Sequence, residues 1–253
     1  MSGGSQSTSD SDSPDSSGRR HAEAGGRAVA GIVPAAGLST RMGSSKPLLD
    51  AGGLAFVERV VAALDGGGCA PVLVVVRNPG SPEAALAREA GARVVVNPDP
   101  SDGPISSLRA ALRSLGVPRD EEGIGHEEGA RAEQATRVGG ERIAGCVFCP
   151  VDHPRVDAKT VARLLDAFRR SDAPITVPVY ESRRGHPVIF REALFLELLE
   201  EELSEGARTV IRRHDDRVLE VNVDDVGVLV DIDTPGEYRE HYPGDYRERF
   251  EDG

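Results

Sequence analysis

The chain has 253 residues, with 42 acidic against 30 basic side chains, a formal net charge of −12 and only 4% aromatic residues. That balance disfavours a general surface for nucleic acid or anionic membrane, because phosphate backbones reward basic patches. It leaves room for a small anion held by a few local cations. No stretch approaches the ~18 consecutive apolar residues of a transmembrane helix, while glycine and the 39% of hydrophobic residues together suffice for a core of Ala, Val and Leu.

Residues 1–26 are rich in Ser, Asp and Gly and have almost nothing to bury, so a disordered tail is expected. They also lack the apolar core of a signal peptide, which points to a cytoplasmic chain. From Ala28 onward, strands and helices alternate. Strands are expected over 28–33, 71–77, 92–96, 143–149, 174–179 and 218–223, all continuous Val/Ile-rich runs of the kind covered on both faces. Helices are expected over 56–64, 82–89, 105–115, 158–170, 191–202 and 208–214, with a last one from Pro235. Such alternation implies an α/β fold: a mostly parallel central sheet in a three-layer, Rossmann-like arrangement. Residues 116–142 break the rhythm. They are Gly- and Glu-rich with few apolar residues, and read as a flexible polar insertion within one domain spanning 27–243. A charged tail, 244–253, follows.

The three cysteines are odd in number and are expected as thiols in a reducing compartment. Cys146 and Cys149 form a C-x-x-C, but on a strand residues three apart face opposite sides. No second Cys/His pair stands at zinc-ligand spacing. Buried core thiols are expected.

The chemical signal begins after the first strand, in Val33-Pro-Ala-Ala-Gly-Leu-Ser-Thr-Arg-Met-Gly-Ser-Ser-Lys-Pro-Leu-Leu49. Ligands of open α/β sheets bind outside the carboxyl ends of the strands, where this loop lies. The small residues Ala35, Ala36 and Gly37 let backbone N–H groups approach phosphate oxygens, and Arg41 and Lys46 supply positive charge. Gly43 and Lys46 are three apart and Pro47 follows, so the loop is not a Walker A motif; a dinucleotide G-x-G-x-x-G is absent too. The chain writes nearly every cation as Arg: Lys46 and Lys159 are its lysines. A compact ammonium at the phosphate-loop position is therefore suggestive, since Lys and Arg are not interchangeable.

The spacing A-A-G-x-S-x-R-M-G-x-x-K-x-L-L closely resembles the signature of nucleotidyltransferases of the molybdopterin cytidylyltransferase and guanylyltransferase type. Four further segments follow in the family's order. Asn97-Pro-Asp-Pro-Ser-Asp-Gly-Pro-Ile-Ser-Ser-Leu-Arg109 is similar to its second nucleotide loop, and Cys149-Pro-Val-Asp-His-Pro154 to its metal-binding Asp at a strand end. Gly185-His186-Pro187 matches an element facing the acceptor, and Asp231-Ile-Asp-Thr-Pro235 a second metal-binding segment. The resemblance implies the nucleotidyltransferase fold and transfer of CMP, in preference to GMP, from CTP or GTP to a molybdopterin-type cofactor. Pyrophosphate would be released with Mg2+ or Mn2+, and the product would pass to a molybdoenzyme. It further implies nucleotide binding by Ala35, Ala36, Gly37, Ser39, Arg41, Lys46, Asn97 and Ser107, acceptor binding by Gly185, His186 and Pro187, catalysis by Arg41, Lys46 and Asp152, and metal binding by Asp152 and Asp233. Gly103-Pro-Ile105 looks more like the guanylyl branch.

The chemistry stands on its own terms as well. In-line attack at an α-phosphorus calls for alignment and charge neutralisation more than for a side-chain nucleophile. Magnesium is commonly held by one or two carboxylates plus phosphate oxygens. Other roles remain open to these residues. Asp152 could cap the 158–170 helix. Asp233 could start the last helix, with Asp231 as the ligand in its place. His186 could only shape a turn, and His153 and His214 could be structural. A sugar-phosphate transferase of the same fold and a non-catalytic cofactor carrier are the rival functions.

Overall fold

In the computed structural model, residues 27–37, 42, 44–117, 137–138 and 141–244 are described. The expected tail, Ser39, Arg41, most of the expected insertion and the chain beyond residue 244 lie outside them.

The apolar runs pair into one nine-stranded sheet. Strand β1 (Ala28–Pro34) runs parallel to β2 (Val72–Val76) on one side and to β5 (Glu141–Phe148) on the other, and β3 (Arg93–Val96) joins β2 in parallel. Beyond β5 lie β8 (Val188–Arg191), β6 (Ile175–Tyr180), β7 (Arg183–Arg184) and β9 (Val218–Asn222), the last parallel to β6. β8 is antiparallel to both β5 and β6.

Both faces of the sheet are covered. Residues of β1 alternate between two cores: Val29 and Val33 pack on one side, Ala30 and Ile32 on the other. The first core receives α1 (Phe56–Gly66), α2 (Pro82–Glu89), α4 (Ala158–Arg169) and α7 (Pro235–His241). Apolar residues at helical spacing, such as Val161, Leu164, Leu165 and Phe168, are their inward faces. The second core receives α3 (Pro104–Ser114), α5 (Phe195–Leu199) and α6 (Ala207–Arg213). Cys146 falls in the second core and Cys149 in the first, so their sulfurs diverge as the strand period dictates. No helix among the described residues is long and apolar enough to cross a membrane.

The sequence expectations fail chiefly between residues 183 and 202. The helix expected over 191–202 is a strand end at Arg191, a 3-10 turn (Glu192–Leu194) and the short α5. Leu- and Glu-rich sequence favours helix, but Val188, Ile189 and Phe190 are captured between β5 and β6. Arg109 stops the helix at its other end: its guanidinium donates to the carbonyls of Leu198, Glu200 and Glu201. The short β4 (Arg137–Val138), β7 and β8 are absent from the sequence reading. β4 pairs with the start of β5 inside the stretch read as an insertion.

Candidate active site

The candidate site lies at the carboxyl ends of β1, β3 and β5. Past β1, Ala35 and Ala36 are buried, and the Ala35 N–H donates to the Val75 carbonyl (2.8 Å), which continues the sheet pairing. Gly37 is exposed, with nothing within 4 Å of where a Cβ would stand. Ser39 and Arg41 fall in the undescribed loop, and Met42 is buried in the first core. The chain then forms a 3-10 turn (Lys46–Leu48) secured by buried Pro47 and Leu49. This turn directs Lys46 inward, its side chain 12% exposed.

Two carboxylates converge on that ammonium. Lys46 Nζ lies 3.3 Å from Asp152 Oδ2 and also donates to Asp233 Oδ1. Asp152 follows β5, in a turn closed by the His153 N–H on the Pro150 carbonyl (3.1 Å). Asp233 belongs to a segment tied to this turn by the Ile232 N–H on the Asp152 carbonyl (3.0 Å). Neither aspartate caps a helix. Asp157 caps α4 by accepting from the Lys159 N–H (2.8 Å), and Thr234 caps α7 through a reciprocal pair with Glu237. Asp233 contributes only its backbone N–H to that cap, donating to Glu237 Oε2 (2.9 Å), which leaves its carboxylate directed at Lys46. Asp231, the alternative ligand, is exposed. Lys159 is exposed on α4.

Two histidines adjoin the carboxylates. His153 Nε2 is 3.8 Å from Asp152 Oδ1, and the His153 ring stacks on His186 with centroids 4.6 Å apart. Burial lowers the pKa of His153 against the pull of Asp152 and Asp231, and burial pushes His186 down to about 3. His186 is held from behind: its N–H donates to the Val228 carbonyl (2.8 Å) and the Gly185 N–H to the Pro178 carbonyl (3.0 Å). At Gly185 a Cβ would stand 2.2 Å from the Val228 oxygen, so only glycine permits this approach.

The second loop forms a separate wall. Asn97 follows β3, and its Nδ2 donates to Ser106 Oγ (2.8 Å) and Ser107 Oγ (3.3 Å). Ser107, the residue named from sequence, is 2% exposed, while Ser106 lines a cleft with Asn97, Asp99, Asp102, Arg109 and Arg113. Sequence reasoning missed Ser106 as a cleft residue and His153 as part of the site. In both, the clue was adjacency to a named residue, which does not say which neighbour faces inward.

No group of three or more His, Cys, Asp or Glu poised for a metal is found among the described residues. Two carboxylates gathered on one ammonium nevertheless form a cation-accepting donor set. It suits a hard divalent ion that takes its remaining oxygens from phosphate and water.

The sequence profile of the MobA-like NTP transferase domain matches residues 31–218. No curated protein matches the chain in sequence. In structure, the chain is similar to Rv0371c from Mycobacterium tuberculosis H37Rv, at 27% identity and a TM-score of 0.63 over 85% of this chain and 97% of that one. A manganese complex of Rv0371c from the same strain aligns at 23% identity and a TM-score of 0.60, over 86% of this chain and 99% of that one. The fold is shared with the molybdopterin-guanine dinucleotide biosynthesis protein A of Archaeoglobus fulgidus, at 16% identity, a TM-score of 0.56, and 85% and 97% coverage.

Proposed function

The chain belongs to the MobA-like NTP transferase family and is a nucleotidyltransferase; from that premise we propose that it transfers CMP, in preference to GMP, to the phosphate of a molybdopterin-type acceptor. The bond that forms joins an acceptor phosphate oxygen to the α-phosphorus. The α–β phosphoanhydride bond breaks, and pyrophosphate leaves with its electron pair. The observation that carries this reading is the convergence of Asp152 and Asp233 on Lys46 beside the phosphate-type loop.

Each residue has a task in this reading. Backbone N–H groups of Ala36 and Gly37 approach the triphosphate; that of Ala35, expected with them, is taken by the Val75 carbonyl, and Ser39, Asn97 and Ser107 belong to the nucleotide side. Lys46 and Arg41 neutralise charge as it moves onto the departing pyrophosphate. Asp152 and Asp233 would hold Mg2+ or Mn2+, which when bound withdraws charge from the phosphate oxygens. The manganese complex of Rv0371c supports a divalent ion in a protein of this fold. Lys46 then leaves its carboxylate partners and turns to phosphate. Gly185, His186 and Pro187 form the acceptor side, where a neutral His186 can donate one N–H without the cost of a buried charge. The preference for cytosine rests on the resemblance of Ala35-Ala36-Gly37, Gly185-His186-Pro187 and Asp231-Ile232-Asp233 to the cytidylyl branch. We place the reaction in the cytoplasm, with residues 27–243 as one catalytic unit and a molybdoenzyme as recipient of the product.

The test is calorimetric titration with CTP, GTP and ATP in the presence of magnesium, followed by pyrophosphate release with a molybdopterin-type acceptor. CTP should bind most tightly. Binding of none of the three would sink the reading, and release with a sugar phosphate alone would move the acceptor class. Asp152→Asn should abolish turnover while the fold stays intact; unchanged turnover would remove Asp152 from its metal role.

A further inference from the structure

The segment between β9 and α7 touches each part of the site in turn. It leaves β9 with the Val223 N–H on the Val179 carbonyl (3.0 Å), and it ends with the Ile232 N–H on the Asp152 carbonyl and with Asp233 at Lys46. Between these lies a 3-10 turn, Val226–Leu229, whose Val228 carbonyl holds the His186 N–H (2.8 Å). The turn fits without slack. A Cβ at Gly227 would stand 2.2 Å from the Arg155 oxygen, and a Cβ at Gly185 would stand 2.2 Å from the Val228 oxygen. The turn is therefore in backbone contact with the acceptor segment and with the residues that follow Asp152.

Asp225 fastens this turn. Its Oδ1 accepts from the Gly227 N–H (2.8 Å), which is all that a local cap requires. Its Oδ2 accepts from the Asp157 N–H (3.0 Å) and the Thr160 hydroxyl (2.7 Å), 68 and 65 residues away. Both donors belong to the start of α4, and Thr160 is buried. The helix has no need of Asp225 for its own cap, since the Asp157 carboxylate already takes the Lys159 N–H. One carboxylate thus ties the turn to α4 through charge-assisted bonds, which are stronger than neutral ones.

We propose that Asp225 is a positioning residue: by fixing the 226–229 turn to the start of α4, it holds the Val228 carbonyl, and through it His186, in place beside His153 and Asp152. It acts through Val228 rather than by contact with substrate. Its consequence for transfer rests on the reading of Gly185-His186-Pro187 as the acceptor side, so the mechanical link and the kinetic one are measured separately. Full-length Asp225→Ala is compared with Asp157→Ala, which removes the cap of α4 but leaves the Asp157 N–H to Asp225. Amide hydrogen exchange of His186 reads the link without any ligand, with the Val223 amide as reference on the same segment.

In Asp225→Ala, His186 should exchange about tenfold or more faster relative to Val223, the scale of a lost hydrogen-bonded tie. In Asp157→Ala that ratio should stay within about twofold of the parent's, because a lost cap acts on its own helix. Asp225→Asn keeps one of the two acceptor oxygens and should lie between parent and Ala. With CTP as donor and molybdopterin as acceptor, Asp225→Ala should raise KM for molybdopterin about fivefold or more and leave KM for CTP within about twofold. Should Asp225→Ala fail to fold, Thr160→Val carries the test: it removes one donor, keeps the shape, and should speed His186 exchange about threefold relative to Val223. An unchanged exchange ratio in Asp225→Ala, or one raised no more than in Asp157→Ala, overturns the proposal. So does a parallel rise in KM for CTP and molybdopterin, which marks a general loss of structure. A parent chain that transfers nothing to molybdopterin refutes the acceptor reading, while the exchange ratio still decides whether Asp225 holds His186.

Discussion

Lys46 holds two carboxylates together, and removing its charge while keeping its apolar stem isolates that role. In Lys46→Met the stem still packs, but Asp152 and Asp233 lose the ammonium they share. The three side chains are 12%, 24% and 34% exposed, between the surface and buried limits. A unit-charge pair at about 4 Å is worth ~4 kcal/mol at an effective dielectric of 20 before desolvation is subtracted. Exposed pairs fall to ~0–1 kcal/mol, and breaking a fully buried one costs about 3–5 kcal/mol. The expected loss is therefore about 1–3 kcal/mol, or roughly 3–9 °C in Tm for a domain of this size.

The discriminating measurement is thermal unfolding with and without Mn2+. In the parent protein an incoming divalent ion must first displace the ammonium. In Lys46→Met that ammonium is gone, so the same Mn2+ concentration should raise Tm by more. An ion at a hundred times its Kd stabilises by about 2.7 kcal/mol, enough to restore most of the loss. A variant as stable as the parent, or equal Mn2+ shifts in both, would refute the picture of Lys46 as the cation that occupies the metal's place.

Gly185→Ala forces a Cβ to within 2.2 Å of the Val228 oxygen, and the backbone has to yield. The hydrogen bond from the His186 N–H should be lost, with about 1–3 kcal/mol of stability and a raised KM for acceptor but not for nucleotide. Denaturant titration and initial rates check both. Burial pushes the Cys69 thiol up to about 12 and raises Cys146 and Cys149 as well. None of the three should react with a thiol reagent at neutral pH in the folded protein, and all three should react in guanidinium; fast labelling of native protein would contradict the packing. Burial raises the pKa of Glu197, but hydrogen bonds from His214 and Arg213 outweigh it and hold the carboxyl below its usual range. A lowered folded pKa stabilises above the unfolded value and is lost as pH falls through the folded one. Glu197→Gln should cost about 1 kcal/mol or less at pH 7, with the difference closing below about pH 4 in equilibrium unfolding.

The legible parts of the molecule are those in which local sequence and global position agree. The parallel strands β1, β2, β5 and β6 are apolar runs whose residues are buried between the two layers, whereas β3 and β9, at the edges of the sheet, are only partly buried, contrary to the expectation of runs covered on both faces. The helices 56–66, 82–89 and 158–169 carry their apolar residues at helical spacing. Residues 183–202 were illegible because long-range contacts decide them. Arg109 is 89 residues or more from the carbonyls it binds at the end of α5, and no local pattern announces that. The site divides in the same way. Lys46, Asp152 and Asp233 sit in segments whose types and order were readable. That the caps fall to Asp157 and Thr234, leaving Asp152 and Asp233 directed elsewhere, needed coordinates. So did Ser106, since helical phase alone separates it from its buried neighbour Ser107.

The antiparallel β8 explains how the proposed acceptor segment reaches the site. In a parallel sheet every strand delivers its carboxyl end to the functional edge, and the connections at its amino end are out of reach. β8 reverses that geometry. Its first residue, Val188, pairs with Phe148, the last of β5. Whatever precedes β8 must therefore emerge beside whatever follows β5. Gly185-His186-Pro187 precedes it, and Cys149 to His153 follows β5. The contact of His186 with His153 is the direct result, and with it the proposed acceptor side stands next to Asp152, a proposed metal ligand. A β8 shifted by one residue would turn Ile189 and Phe190 to the wrong cores, so the register that fills two cores also sets how Gly185-His186-Pro187 approaches the turn after β5. Packing and chemistry are here set by the same four residues, Val188 to Arg191.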